Sequence, residues 1–129
     1  MKFILAVHGA PHNSASGEHA IGFANALLAK GHTIERIFFY HDGVLHGLKT
    51  QVAPQGEADL SRQWQALAAQ GVELAVCIAS AIKRGVINES EQERYEKSAA
   101  TLAARFELVG LGQLIAGIQQ SERYVEFPR

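Results

Sequence analysis

The order of apolar and amphipathic segments predicts one α/β domain built on a parallel sheet, and three observations carry that reading. First, the chain has 129 residues, 47% of them hydrophobic, enough for one full core without disulfides or metal. Second, Phe3–Val7 and Val72–Ile78 are nearly continuous apolar runs, as expected of strands covered on both faces. Third, segments of helical spacing separate the apolar runs, and strand-helix-strand order implies right-handed crossovers.

Phe3–Val7 reads as the first strand, ended by Gly9-Ala10-Pro11. Ser14–Lys30 follows as a helix with Ala20, Phe23, Ala24, Leu27 and Leu28 on one face. Ser14 or Ser16 is the candidate cap and Gly31 the stop. Thr33–Tyr40 is a second strand, and His41-Asp42-Gly43 a turn. Val44–Gly56 carries Pro54 and two glycines and reads as a loop with at most one short helical turn. Asp59–Gln70 is helical, with Leu60, Trp64 and Leu67 together, and Gly71 closes it. Val72–Ile78 is the third strand, and Ala79–Gly85 a short helix. Ser90–Arg105 reads as a longer helix, with Ser90 and Glu93 spaced as a capping box. Phe106–Val109 as strand, Gly112–Gln120 as helix and Arg123–Phe127 as strand complete the chain. No repeat, linker or low-complexity segment divides residues 1–129, so one domain is expected.

Composition narrows the function. The net charge is -1 and no basic stripe stands out, which argues against direct nucleic-acid binding. No segment reaches the roughly 20 apolar residues of a membrane helix. The apolar run Phe3–Val7 is short for a signal peptide. The chain has one cysteine, which precludes an internal disulfide and fits a reducing compartment. A cytoplasmic location is the expectation.

Ligand sites in open α/β sheets lie beyond the carboxyl ends of the strands. The strand assignments place His8, His41 and Cys77 on that edge, and the following loops add His12, Asp42 and His46. Cys77 stands where a strand passes into a helix. The free N–H groups and partial positive charge of a helix start favour a thiolate, the nucleophilic form of cysteine. Ser80 is a nearby hydroxyl donor, and Lys83 and Arg84 add positive charge at the far end of the same helix. The opposing reading is that Leu74-Ala75-Val76-Cys77-Ile78-Ala79 is core and Cys77 a small hydrophobe. The histidines are acid-base helpers, loop residues or, with Cys77, a zinc set; no pair among them has the spacing of a zinc motif. His8-Gly9-Ala10-Pro11 lacks the glycine patterns of nucleotide-binding loops.

Three stretches together resemble one family: Phe38-Phe39-Tyr40-His41-Asp42-Gly43-Val44, then Cys77-Ile78-Ala79-Ser80-Ala81-Ile82-Lys83-Arg84-Gly85-Val86 followed by Glu89, then Gly110-Leu111-Gly112-Gln113-Leu114. They are similar to the TusD branch of the DsrE/DsrF-like sulfur relay proteins, and the similarity in length and element order covers nearly the whole chain. The resemblance implies five mainly parallel strands flanked by helices. It implies a persulfide on Cys77, with Ser80, Lys83, Arg84, His8, His12 and His41 as supporting residues around it. It further implies a heterohexamer with TusB-like and TusC-like subunits, a TusA-like sulfur donor and a TusE-like acceptor. The pathway implied is 2-thiolation of the wobble uridine of certain tRNAs, or sulfur oxidation in DsrE-type relatives. No metal or organic cofactor is expected for such a transfer. The loop Gly9-Ala10-Pro11-His12-Asn13 departs from the Gly-Pro-x-Tyr-Gly pattern common in that branch, with His12 near the place of the tyrosine.

Overall fold

Lys2–Val7 forms β1, and its apolar run explains its place at the heart of the sheet. Ile4, Leu5, Ala6 and Val7 are fully buried in the computed structural model, which describes residues 1–129. Thr33–Phe39 (β2), Glu73–Cys77 (β3), Phe106–Val109 (β4) and Arg123–Phe127 (β5) complete a five-stranded sheet of order β4-β3-β2-β1-β5. Every pairing is parallel, so the single α/β layer architecture expected from the alternation is the one observed. The helices are α1 (Ser16–Ala29), α2 (Leu60–Ala69), α3 (Ile78–Lys83), α4 (Glu89–Arg94) and α5 (Gly112–Gln120).

Residue parity along β1 separates the two faces. Phe3, Leu5 and Val7 join the main core, where Phe3 meets Phe23 of α1 edge to face at 6.1 Å. Ile4 points the other way, toward α5: a Cβ on Gly117 would lie 2.2 Å from Ile4 Cδ1. Arg36 of β2 fastens α5 by donating from Nη1 to the Gln113 carbonyl at 2.9 Å, and it pairs with Glu73 of β3 at 2.8 Å. The β4-to-β5 connection crosses the sheet to the far side of β1, so the strand order reverses between β1 and β5.

Register sets the geometry of the carboxyl edge. Val7 is level with Phe39, and Phe39 with Val76. One residue further along these strands stand His8, Tyr40 and Cys77, side by side across the sheet.

Three local expectations are corrected. The helix expected over Ser90–Arg105 ends at Arg94. It closes in a Schellman arrangement, with Lys97 N–H donating to Gln92 and Glu96 N–H to Glu93, and Glu96 takes the left-handed conformation at φ 53°. Because that residue is not glycine, the sequence carries no visible stop signal. Beyond it the backbone bonds elsewhere: Lys49 N–H donates to Thr101, Ala103 N–H to Gly47, and Thr101 N–H to Ile87. The helix cap is also not Ser90 with Glu93; Asn88 Oδ1 accepts from Glu91 N–H at 2.9 Å. Finally, α1 has no side-chain cap, because Ser16 Oγ turns back to accept from Gly9 N–H at 3.0 Å. Ser14 Oγ accepts from Ser16 N–H instead.

Candidate functional site

Cys77 is the last residue of β3, paired with Val109 of β4, and the N-cap of α3. Its position follows from Leu74–Cys77 being a buried run that gives way to the helix-compatible Ile78-Ala79-Ser80-Ala81. The residue is 4% exposed and belongs to the main core. Both readings of the sequence therefore meet here: the side chain packs as a hydrophobe, and it stands at the strand-to-helix junction on the sheet's carboxyl edge.

The segment after β2 is more ordered than a loop. His41–Gly47 forms a 3₁₀ helix, with Val44 and His46 fully buried. Gly43 is required there, since a Cβ would lie 2.1 Å from the Val7 carbonyl oxygen. His46 is a structural residue. Trp64 donates its indole N–H to His46 Nδ1 at 3.1 Å, and an indole nitrogen can only donate. The ring proton is thus on Nε2, which donates to the Gly9 carbonyl at 3.1 Å. Burial pushes the His46 pKa down to about 4, against the upward pull of the hydrogen bond to the Gly9 carbonyl and with a smaller downward push from His12. With both nitrogens engaged, His46 has no valence left for a metal, and no group of three or more His, Cys, Asp or Glu side chains converges as an ion site.

The expected residues divide. His8 and His41 meet, Nδ1 to Nδ1 at 3.2 Å, an arrangement that needs one donor and one acceptor and so excludes two imidazolium ions. The pKa of His41 is lowered by burial, then by the charges of His8, Arg84 and Arg129. His8 Nε2 lies 3.6 Å from Glu126 of β5, whose carboxylate accepts from Tyr124 Oη at 2.6 Å. The Tyr40 ring packs on both histidines, at centroid distances of 5.8 Å to His8 and 4.1 Å to His41. His12 does not join them. It is exposed, in left-handed conformation at φ 70°, and lines a small hollow with Gln51, Asp59 and Ser61.

Around α3, Ser80 is buried, and its carbonyl accepts from Arg84 Nη1 at 3.0 Å. Arg84 Nε donates to Asp42 Oδ1 at 2.8 Å, and this bond first of all holds the Asp42 carboxyl below its ordinary pKa. The charge of Arg84 is thus committed to Asp42, whereas Lys83 is exposed in the last turn and forms no ion pair. Sequence reasoning missed Tyr40 and Glu126 as members of this edge. The parity of Tyr40 with Phe38 was readable; the contact of Glu126 required knowing that β5 pairs with β1.

The sheet and its strand-end cysteine make the chain a parallel α/β protein with one thiol at the N-cap of a short helix. Residues 1–127 match the DsrE/DsrF-like family, and the chain belongs to that family. It is 44% identical to a protein named Sulfurtransferase TusD homolog from Pseudomonas aeruginosa, over 98% of this chain and 97% of that protein. It is 38% identical to a Putative sulfurtransferase DsrE from Allochromatium vinosum, over 98% of each. The crystal structure of the ychN protein from E. coli superposes with a TM-score of 0.81 at 23% identity, covering 98% of this chain and 99% of that one, a likeness of fold.

Proposed function

We propose that this chain is a sulfur relay protein that carries a persulfide on Cys77. The observation that carries the reading is the position of its one cysteine, at the junction of β3 and α3 on the carboxyl edge. The names of its TusD and DsrE relatives support sulfur transfer as the activity.

In the first step the Cys77 thiolate attacks the terminal sulfur of a donor persulfide. A bond forms between Sγ and that sulfur, the donor's S–S bond breaks, and the donor leaves as a thiolate. In the second step an acceptor thiolate attacks the sulfur now held on Cys77, which departs as a thiolate. Thiolate enters and leaves each step, so electrons and charge balance without a redox partner. Ser80, Lys83 and Arg84 around α3, and His8, His12 and His41 on the same edge, support this chemistry by shaping the approach of the partners. A TusA-like donor, a TusE-like acceptor, and assembly with TusB-like and TusC-like subunits in the cytoplasm complete the proposal, with 2-thiolation of tRNA wobble uridine as its pathway. The test is sulfur transfer from a TusA-like persulfide to a TusE-like thiol. Wild-type protein should support it and Cys77→Ala should not; transfer by the variant would overturn the assignment.

The low exposure of Cys77 favours a second reading, a non-catalytic subunit whose cysteine is packing. Titration of the folded protein with a bulky thiol reagent separates the two. A relay cysteine reacts under native conditions, whereas a packing cysteine reacts only on unfolding.

A further inference from the structure

Cys77 is 4% exposed, yet sulfur passes only between sulfur atoms in contact. The carboxyl edge must therefore open around it. The element that follows Cys77 directly is α3, six residues long. A helix of that length does not hold itself together in water, so tertiary ties fix its place. Ala81 supplies the apolar tie, being fully buried. The polar tie runs through Arg84, which grips its own helix at the Ser80 carbonyl and reaches Asp42 at 2.8 Å.

Asp42 is a firm anchor. The chain before it is bonded to β1 through Tyr40 N–H and the Val7 carbonyl at 3.0 Å. Gly43, the residue after it, packs directly on that same carbonyl and donates its N–H to Tyr40 O at 2.8 Å. Between them His41 is held in the left-handed region at φ 49°, a conformation that persists only where its surroundings impose it. His41 and Arg129 are the other charged or titratable groups acting on Asp42, the latter at 3.4 Å.

We propose that the Asp42–Arg84 pair is a latch that holds α3 against the 41–47 turn and so governs access to Cys77, which makes Arg84 a positioning residue for sulfur exchange. The proposal rests on Cys77 being the sulfur-carrying residue. Its test does not: native-state alkylation of the one thiol by iodoacetamide needs no sulfur donor, so loss of the latch and loss of the relay are read separately.

Arg84→Gln and Asp42→Asn should each speed alkylation about fivefold, the factor corresponding to a partly exposed ion pair. Arg84→Lys, which keeps the charge, should stay near the wild-type rate. The double variant Asp42→Asn with Arg84→Gln should react no faster than either single variant, because both remove one interaction. Urea unfolding of the same proteins gives the rate expected if the thiol reacted only through global unfolding. Single-variant rates within twofold of wild type would overturn the latch. So would rate increases that multiply in the double variant, or that are fully accounted for by global unfolding.

Discussion

Replacing His46 with glutamine should remove a specific part of the protein's acid sensitivity. His46 is fully buried, accepts from Trp64 at Nδ1 and donates to Gly9 from Nε2. A second proton would have to enter at Nδ1, displacing the indole donor and placing a charge in the core. Its folded pKa is accordingly about 4, against the ordinary 6.5. Above pH 6.5 the imidazole is neutral in both folded and unfolded chains, and its contribution to stability is fully present. As the pH falls toward 4 the unfolded chain takes up a proton that the folded chain refuses, and stability is lost. The gap corresponds to up to about 3 kcal/mol. Glutamine keeps a donor for the Gly9 carbonyl but does not titrate. The assay is urea unfolding of wild type and His46→Gln from pH 7 to pH 4.5. Wild-type stability should fall by about 2–3 kcal/mol more than that of the variant. The other titrating groups are common to both proteins and cancel in the difference. Parallel pH profiles would refute the assigned tautomer and the burial argument together.

Three further substitutions test the fold, at the turn after β2 and at the α4 cap, and two test the chemistry of the edge. Gly43→Ala should destabilise by about 3 kcal/mol in urea unfolding, because its methyl group meets a backbone carbonyl that cannot step aside. Asn88→Ala should cost about 1 kcal/mol through loss of the α4 cap, and Ser90→Ala, outside the cap, a few tenths at most. Cys77→Ser should abolish sulfur transfer and also lower stability by about 1–2 kcal/mol, since a hydroxyl replaces a thiol in a buried site. Cys77→Ala avoids the buried hydroxyl, so equal loss of transfer in both variants, measured with matched donor and acceptor, would separate chemistry from stability.

Much of the fold was legible because β1 and β3 are buried along nearly their whole length and therefore write themselves as apolar runs. The termini that depended on glycine, at Gly31 and Gly71, were legible for the same local reason: both take positive φ. The end of α4 was not, because its left-handed residue is Glu96 and its continuation is stabilised by bonds to residues 47–49 and 87. His46 illustrates a different limit. Its polarity and its place in a glycine-bearing segment suggested a loop, while Trp64, eighteen positions away, supplies the partner that lets it be buried. At the site, strand ends placed His8, His41 and Cys77 on one edge, but only the register revealed that Tyr40 stands between His8 and Cys77. The commitment of Arg84 to Asp42 was equally invisible, since it joins residues forty-two apart.

The edge therefore combines a rigid half and a tethered half. The rigid half is the turn after β2, locked by Gly43 on Val7 and by His46 between Gly9 and Trp64. The tethered half is α3, which follows the cysteine directly and is tied back through Arg84. Such a division suits a residue that must be sheltered when loaded and reached when it reacts.

Whether Cys77 carries sulfur is decided by intact-mass spectrometry after exposure to a protein persulfide donor. The expected result is a gain of one sulfur atom, mapped to Cys77, reversed by reductant and absent from Cys77→Ala. A wild-type chain that is folded, assembled with its partner subunits and still unmodified would contradict it.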